Sequence, residues 1–160
     1  GCLMSIVVEY RAARREEELA RLRRVIALRA MLATGMSQRQ IGEQLGISQP
    51  AVSQQLRFAS ELKHMHPKEL LEAAAPVLKA LANDRGYRDI AVFGSVARGE
   101  ARADSDIDLI VKAPVGASSF DFVAFKMLLE QVLGREIDLV EYGGLKPVLD
   151  DDIRRESVPL

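Results

Sequence analysis

The sequence predicts an α+β protein, with an all-α N-terminal half followed by a small α/β half that contains a mixed sheet. In residues 14–33, Leu, Ile and Val recur at helical spacing. From residue 90 onward, short apolar runs of strand length alternate with loops and with one longer helical pattern. Charge also divides the chain, because residues 1–66 contain 10 Lys and Arg against 6 Asp and Glu, whereas residues 67–160 contain 12 against 17. We therefore expect two domains, residues 1–66 and residues 67–160.

The N-terminal half begins with a long amphipathic helix. It runs from Arg14 to Ala33 and ends near Gly35. Its apolar stripe consists of Leu19, Leu22, Val25, Ile26, Leu28 and Leu32. Before this helix, Ile6 to Val8 form a short apolar arm that suits either core packing or a dimer contact.

Two short helices joined by a glycine turn come next. Ser37 is a suitable N-cap for a helix over Gln38–Leu45. After the turn at Gly46, Ser48 caps a second helix that has Pro50 in its first turn. This order predicts a helix-turn-helix. The apolar residues expected to hold its helices together are Ile41, Leu45, Ile47, Val52 and Leu56.

The second of these helices presents polar side chains that suit the major groove of DNA. Such side chains hydrogen-bond base edges and phosphates, and Gln54 suits adenine. The stretch from Ser37 to Arg57 resembles the helix-turn-helix of bacterial repressors, which implies DNA binding. Because one such motif makes few base contacts, we also expect a homodimer. The alternative is a trihelical packing module that touches no DNA. The candidate DNA-binding residues are Gln49, Ser53, Gln54 and Arg57.

The junction between the halves contains His64 and His66. A His-x-His metal site is conceivable, but no cysteine or third histidine lies nearby, so an exposed linker or helix end is favoured. Pro67 fits the first turn of the next helix. Pro76 should break or restart that helix, because a proline inside a helix removes a hydrogen bond.

The candidate active site begins at a strand that ends in a tight turn. Ile90–Phe93 is an apolar run followed by Gly94 and Ser95. Glycine lets a ligand approach the main chain, and Ser95 adds a hydroxyl donor where a helical turn can begin. We interpret Gly94 and Ser95 as a site for phosphate oxygens.

Two carboxylates follow on the next predicted strand. Because side chains alternate along a strand, Asp106 and Asp108 share one face, while Ile107 and Leu109 take the other. Two like charges at this spacing repel unless a cation lies between them. Oxygen ligands with open positions suit Mg²⁺, which completes its coordination with water and substrate phosphates. The implied substrate is a nucleoside triphosphate.

A third carboxylate, Asp138, stands on a later apolar strand between Ile137 and Leu139. It can lie beside the first two acids if the strands are neighbours. It would then bind a second metal ion or take the proton from an incoming hydroxyl, as two-metal phosphoryl transfer requires. The alternative for the whole motif is a solvated edge strand without metal, against which the combined spacing, glycine turn and third acid argue.

The order Gly-Ser, ten intervening residues and Asp-Ile-Asp over residues 94–108 resembles the motif of the polymerase-β-like nucleotidyltransferase superfamily, most closely its minimal nucleotidyltransferase branch. The resemblance extends from about Leu70 to the C-terminus. Members are often antitoxins that transfer AMP to a HEPN-type toxin, so ATP is the implied donor and such a toxin the implied partner. The resemblance implies nucleotide binding by Gly94 and Ser95, and metal binding and catalysis by Asp106, Asp108 and Asp138.

Two further helices are expected around the third acid. One spans Phe120–Leu133 and is closed by Gly134, and the other runs from about Pro147 to Glu156. Cys2 is the only cysteine, so no internal disulfide can form and a reducing cytoplasm is the expected location. The sequence has no apolar run of about 18 residues and no signal-peptide pattern, so neither a membrane span nor secretion is expected.

Together these features predict a Mg²⁺-dependent nucleotidyltransferase. It would move a nucleoside monophosphate, AMP by the resemblance, from a triphosphate to a hydroxyl of a partner protein. The resemblance implies a toxin-neutralising antitoxin, and the helix-turn-helix adds binding to its own operator. The alternative is a transcriptional regulator whose second domain binds nucleotide without turnover.

Overall fold

The computed structural model describes residues 2–145 and 150–160. Within these residues a helical first half precedes a four-stranded sheet, which confirms the predicted α+β class. Short 3₁₀ segments span Arg57–His64 and Tyr142–Gly144. The helices and strands, in chain order, are α1 (Cys2–Ala33), α2 (Gln38–Leu45), α3 (Gln49–Leu56), α4 (Pro67–Asp84), β1 (Arg88–Phe93), α5 (Gly94–Ala97), β2 (Ile107–Lys112), α6 (Ser119–Leu133), β3 (Ile137–Glu141), α7 (Asp151–Glu156) and β4 (Val158–Pro159).

The sheet is mixed, as predicted, and its strand order is β3-β2-β1-β4. β1 pairs antiparallel with β2 and β4, whereas β2 and β3 run parallel. The parallel pair needs a crossover connection, and α6 provides it. The sequence does not predict β4, because a strand of two residues is too short to show an alternating pattern.

The two faces of the sheet carry different side chains. Val92, Leu109 and Ile137 point into the largest apolar core, which α1, α4 and α6 also line. Phe93 and Ile110 belong to a smaller apolar cluster on the opposite face. The helices therefore stabilise one face, and the polar side chains of the strands project from the other.

Helix α1 starts at Cys2 rather than at Arg14. The predicted apolar arm is therefore wrong: Ile6–Val8 is helical, and the side chains of Ile6 and Val8 are 65% and 56% exposed. No glycine or proline interrupts the sequence between residues 2 and 33, so nothing in the chain stops the helix earlier.

The second half of α1 contacts both halves of the chain. Leu22 and Ile26 pack in the largest core with α4 and α6. Two residues after Ile26, Leu28 packs with Ile41 and Val52 in a separate core under α2 and α3. We keep the division into residues 1–66 and 67–160 as a proposal, in which α1 is the element that joins the two units.

Capping residues form the two short helices as predicted. The Ser37 hydroxyl accepts a hydrogen bond from the Gln40 backbone N–H at 3.1 Å, and the Gln40 side chain accepts from the Ser37 N–H at 2.9 Å. Gly46 adopts a left-handed conformation with φ of 69°. The Ser48 hydroxyl accepts from the Ala51 N–H at 3.2 Å and starts α3. These contacts confirm the helix-turn-helix.

One residue that the sequence predicts in the helix-turn-helix core is exposed instead. Ile41 and Val52 are fully buried as expected, but Leu45 is 48% exposed. Leu45 is the last residue of α2 and lies where this helix leaves the interface with α3. A periodic pattern does not show where a contact ends, so the sequence alone could not exclude it from the core.

Helix α4 continues through Pro76 without a break, contrary to expectation. Pro76 has no N–H to donate to the carbonyl of Glu72, but both residues are exposed, so water can satisfy that carbonyl. The opposite side of α4 packs along α1 and β1 and holds the helix together. Tertiary packing thus outweighs one missing hydrogen bond.

Only part of the predicted last helix can be compared with the structure. Residues 147–149 of that expectation lie outside the described residues, and α7 begins at Asp151. It has two aspartates in its first turn and two arginines in its last turn, as the helix dipole favours. Among the residues described, no helix combines the length and the apolar character needed to cross a membrane.

Candidate active site and nucleic-acid interface

The turn after β1 requires glycine at position 94. Gly94 has φ of +72°, a conformation that other residues rarely adopt. A Cβ atom at this position would collide with Oδ2 of Asp108 and lie 3.0 Å from its Cγ. The sequence suggested that Gly94 makes room for a ligand. In the structure it is the Asp108 carboxyl that approaches the main chain here.

The parallel pairing of β2 and β3 places Asp108 directly opposite Asp138. Burial, the hydrogen bond and charge of Asp138, and the charge of Asp106 together raise the pKa of Asp108 to about 6, while Arg98 acts in the opposite direction. The structure therefore brings the three predicted acids into one electrostatic unit. Accumulated negative charge of this kind favours a bound cation.

Asp106 lies at the end of a loop that Arg135 anchors. Its guanidinium donates hydrogen bonds to the carbonyl oxygens of Ala103 and Ser105, both at 3.0 Å, and to that of Met65 at 2.6 Å. Local sequence patterns do not indicate this role, because Arg135 is 30 or more positions away from every residue it holds.

His66 anchors the same loop closer to its start. Its Nδ1 accepts a hydrogen bond from the Lys68 N–H at 3.1 Å and so caps α4. Its Nε2 lies 2.9 Å from the carbonyl oxygen of Ala101, to which it donates in the tautomer that this cap requires. His66 thus caps the start of α4, which is the helix-end position that the sequence favoured over a metal site. Both of its ring nitrogens make structural contacts.

The residues present fit a magnesium ion better than a closed metal site. Within residues 2–145 and 150–160, no three His, Cys, Asp or Glu side chains form a group ready to hold a metal. Asp108 and Asp138 are nevertheless adjacent, and Asp106 is exposed beside them. Mg²⁺ usually takes only one or two protein carboxylates and fills its other positions with water and phosphate oxygens. This donor set is therefore suited to Mg²⁺ that arrives with a nucleotide.

An open cleft of about 680 Å³ borders the acids on the β3 side. The residues that line this cleft include Asp106, Asp138, Lys63, Lys126 and Glu130. The Gly94 turn lies on the other side of Asp108, next to β1. The acids therefore lie between the Gly94 turn and this cleft.

Two charged side chains surround the Gly94 turn. Glu156 accepts a hydrogen bond from the Gly94 N–H at 3.1 Å, and Arg98 donates to Glu156 at 3.2 Å and to Glu100 at 3.1 Å. The sequence pattern did not single out Glu156. A single acid near the end of a polar helix gives no local signal that could have identified it.

The candidate DNA-binding residues lie close together in the helix-turn-helix. Gln49 and Gln54 are exposed on α3, Ser53 is half-buried, and Arg57 is exposed just after the helix ends. Their spacing of three or four residues places Gln49, Ser53 and Arg57 along one side. The Gln49 side chain donates to Gln38 at 2.8 Å, which fixes its orientation.

The fold and the site define a class of protein. A mixed sheet presents a glycine-serine turn beside carboxylates on two neighbouring strands, which is the arrangement of a nucleotidyltransferase. The family model described as "Nucleotidyltransferase domain" matches residues 76–159, more than half of the chain. The chain belongs to this family, which confirms the resemblance seen in its sequence.

Individual relatives agree with this assignment. Protein adenylyltransferase MntA of Thermococcus cleftensis is 40% identical over 80 residues, which are 50% of this chain and 81% of the relative. A Methanocaldococcus jannaschii protein that also carries the name protein adenylyltransferase is 37% identical over 94 residues, or 59% of this chain and 97% of the relative. A solved minimal nucleotidyltransferase structure superposes with a TM-score of 0.55 at 42% identity and covers 61% of this chain and 98% of its own.

The N-terminal half matches a different family model. Residues 20–61 match "Sigma-70, region 4", a range that runs from the second half of α1 into the 3₁₀ segment after α3. This range contains the complete helix-turn-helix. The two adenylyltransferase relatives described above align over 59% and 50% of the chain.

Proposed function

We propose that the chain transfers AMP from ATP to a hydroxyl group of a partner protein. The observation that carries this proposal is the placement of Asp108 opposite Asp138, beside the Gly94 turn. The names of the two relatives, both protein adenylyltransferases, support a protein acceptor. Gly94 and Ser95 then form the turn that receives the triphosphate.

The proposed reaction is a displacement at phosphorus. The acceptor hydroxyl oxygen bonds to the α-phosphorus, the bond from this phosphorus to the bridging oxygen of the β-phosphate breaks, and pyrophosphate leaves with that electron pair. Asp138, exposed at the cleft, takes the hydroxyl proton. The turn adjoins Asp108 and the cleft is lined by Asp138 on the neighbouring strand, so a triphosphate at the turn and an acceptor hydroxyl at the cleft would meet at the acids.

Asp106, Asp108 and Asp138 would hold Mg²⁺. The bound ion would neutralise phosphate charge and strengthen the electrophilic phosphorus. Without a cation the three carboxylates repel both each other and the triphosphate, so nucleotide binding should depend on Mg²⁺.

We further propose that the acceptor is a HEPN-type toxin and that the chain is its antitoxin in the cytoplasm, as its sequence resemblance implies. The helix-turn-helix supports a second role in operator binding through Gln49, Ser53, Gln54 and Arg57. Reading two half-sites requires two copies of the motif, which supports a homodimer. The net excess of Lys and Arg in residues 1–66 favours approach to DNA phosphates.

Labelling tests the transferase. The chain is incubated with α-labelled ATP and Mg²⁺, with and without a HEPN-type protein encoded beside it, and the products are analysed by gel and intact mass. We expect label and the mass of one AMP on the partner, and neither with Asp106→Asn. If nucleotide binds and no label moves, the protein is a regulator whose second domain only binds nucleotide.

A pair of variants tests whether the two activities are separate. Asp108→Asn should abolish transfer and leave operator binding intact, whereas Arg57→Ala should weaken operator binding and leave transfer intact. Labelling and a gel-shift assay measure the two activities on the same preparations. A folded variant that loses both would contradict the proposed division of labour.

A further inference from the structure

The C-terminal part of the chain reaches the Gly94 turn through Glu156. One carboxylate oxygen of Glu156 accepts the Gly94 N–H at 3.1 Å, and both oxygens lie 3.2–3.3 Å from Nη1 of Arg98. The Glu156 side chain is only 25% exposed. The Glu156 carboxylate therefore connects the main chain of the turn with the Arg98 guanidinium.

The position of Glu156 is fixed from both ends of α7. Before it, Ile153 packs against the small apolar cluster on the face of the sheet that carries the acids. After it, Val158 pairs with Val92 of β1, and the Leu160 N–H donates to Ile90 at 3.2 Å. Glu156 is therefore held on the sheet by contacts that do not involve Arg98.

Arg98 is oriented from two directions. Its Nε donates to Glu100 at 3.1 Å and its Nη1 donates to Glu156, so the pKa of Arg98 is raised by both acids. Within the described residues, its Nη2 group donates no hydrogen bond to the protein. The charge of Arg98 also acts on Asp108 and opposes part of the rise in its pKa. The guanidinium is therefore close enough to Asp108 to act on its charge, and among the described residues its Nη2 group remains available to a ligand.

We propose that Glu156 is a positioning residue that holds Arg98 to receive the triphosphate. This inference rests on the proposed function and adds a residue to it. Because Glu156 occupies the Gly94 N–H, contacts to the phosphates come from the Ser95 hydroxyl and the free side of the Arg98 guanidinium. Charge-assisted contacts between arginine and phosphate are strong, and they depend on a fixed orientation.

The consequence of losing Glu156 follows from this geometry. Without the Glu156 carboxylate, Arg98 keeps Glu100 as its ion-pair partner among the described residues, and the guanidinium is free to change its orientation. Glu156→Gln retains an oxygen that can accept the Gly94 N–H but removes the charge that holds Arg98. Glu156→Ala therefore removes both the support of the Gly94 turn and the orientation of Arg98, whereas Glu156→Gln removes mainly the orientation of Arg98.

Nucleotide affinity tests this inference. Equilibrium binding of Mg²⁺ and a non-hydrolysable ATP analogue is measured on the full chain for wild type, Glu156→Ala, Glu156→Gln, Arg98→Ala and the Glu156→Ala/Arg98→Ala double variant. We expect Glu156→Ala to bind about tenfold more weakly, as the loss of one charge-assisted contact implies, and Glu156→Gln to fall between it and wild type. The double variant should bind no more weakly than Arg98→Ala alone, because Glu156 acts through Arg98.

The controls distinguish this role from a purely structural one. Asp152→Ala removes an acid on the same helix that pairs with the nearby Arg155, and it should bind as wild type. Operator binding and melting temperature are followed in parallel. Wild-type affinity in Glu156→Ala, or additive losses in the double variant, would overturn the inference alone. If wild type itself does not bind the nucleotide, the proposed function fails and the inference falls with it.

Discussion

At the scale of single residues, Gly94 shows how one position meets two demands. Its backbone has φ of +72°, and its Cα lies against the Asp108 carboxyl. Gly99 has a nearly equal φ of +74°, but no atom lies within 4 Å of the place where its Cβ would be. The two glycines share a backbone conformation and differ in their surroundings.

Gly94→Ala should therefore harm both stability and activity. The left-handed backbone alone costs an alanine roughly 1–2 kcal/mol of folding free energy, and the collision with Asp108 adds to this and displaces the carboxyl. Gly99→Ala is the matched control and should show only the backbone cost, with transfer preserved. Thermal unfolding and AMP transfer measure both effects. Equal transfer in the two variants would show that contact with Asp108 is unimportant.

Asp108 carries the clearest electrostatic signal of the site. Its pKa is raised from 3.8 to about 6, first by burial and then by Asp138 and Asp106. Because this pKa is higher in the folded than in the unfolded chain, the folded state is stabilised by protonation of Asp108 and destabilised by its ionisation. Its effect on stability is therefore neutral below about pH 4 and becomes unfavourable as pH rises through 6.

Asp108→Asn should stabilise the metal-free protein at pH 7 and leave its stability at pH 4 unchanged. Because Asp108 is partly solvated, we expect a gain on the order of 1 kcal/mol. Melting temperatures across pH, with and without Mg²⁺, provide the measurement, and Mg²⁺ should stabilise wild type but not the variant. Asp104→Asn, at an exposed acid of the same loop, is the control. A stability gain that is the same at pH 4 and pH 7 would contradict the electrostatic cause.

At the scale of elements, the loop between α5 and β2 depends on parts of the chain remote from it. Arg135 holds the carbonyls on both sides of Asp104, and His66 holds Ala101. Arg135 also binds the Met65 carbonyl in the junction before α4, and His66 lies in that junction and caps α4 through the Lys68 N–H. The position of Asp106 is thus tied to the segment that connects the two halves.

Arg135→Gln should reduce transfer by about tenfold or more, because glutamine cannot make three hydrogen bonds in this fork geometry and Asp106 becomes mobile. Arg102→Ala, which removes an exposed arginine from the same loop, should have little effect. Transfer rates and operator binding are measured for both variants. Unchanged transfer in a folded Arg135→Gln protein would exclude this anchoring role.

At the scale of the whole molecule, α1 has two distinct parts. From Leu22 onward it packs in both apolar cores, whereas its first part carries exposed apolar side chains. Among the described residues, Arg15 is the first of α1 to form an ion pair with the body of the protein, and its guanidinium lies 2.6 Å from the Glu72 carboxylate. A helical segment with little tertiary support is marginally stable in water. The exposed apolar residues of this segment are Leu3, Met4, Ile6, Val8 and Tyr10.

We expect these side chains to be buried in the proposed homodimer. Ile6→Glu combined with Val8→Glu should convert a dimer into a monomer, as measured by light scattering coupled to size-exclusion chromatography. It should also weaken operator binding, because two half-sites are no longer read together. Val115→Glu places one glutamate at a fully exposed apolar residue elsewhere and should leave the dimer intact. A monomeric wild type, or a dimeric double variant, would contradict this interface.

Local sequence patterns were enough to predict the features that depend on neighbouring residues. The helix-turn-helix follows from Ser37, Gly46 and Ser48, whose caps and turn involve residues at most four positions away. The strand, the Gly94 turn and the alternation of Asp106 and Asp108 follow in the same way, because strand geometry fixes the direction of successive side chains. The nucleotidyltransferase family was recognisable from this stretch alone.

Contacts between distant residues were decided only by the tertiary structure. Pairing of β2 with β3 sets Asp108 against Asp138, and docking of α7 brings Glu156 to the Gly94 turn. The uninterrupted α4 depends likewise on its packing against α1 and β1. The sequence by itself thus determined most of the elements and the residue types of the site, since these depend on local geometry. Only the tertiary structure decided which charges meet, because each such contact joins residues far apart in the chain whose approach depends on how the whole core packs.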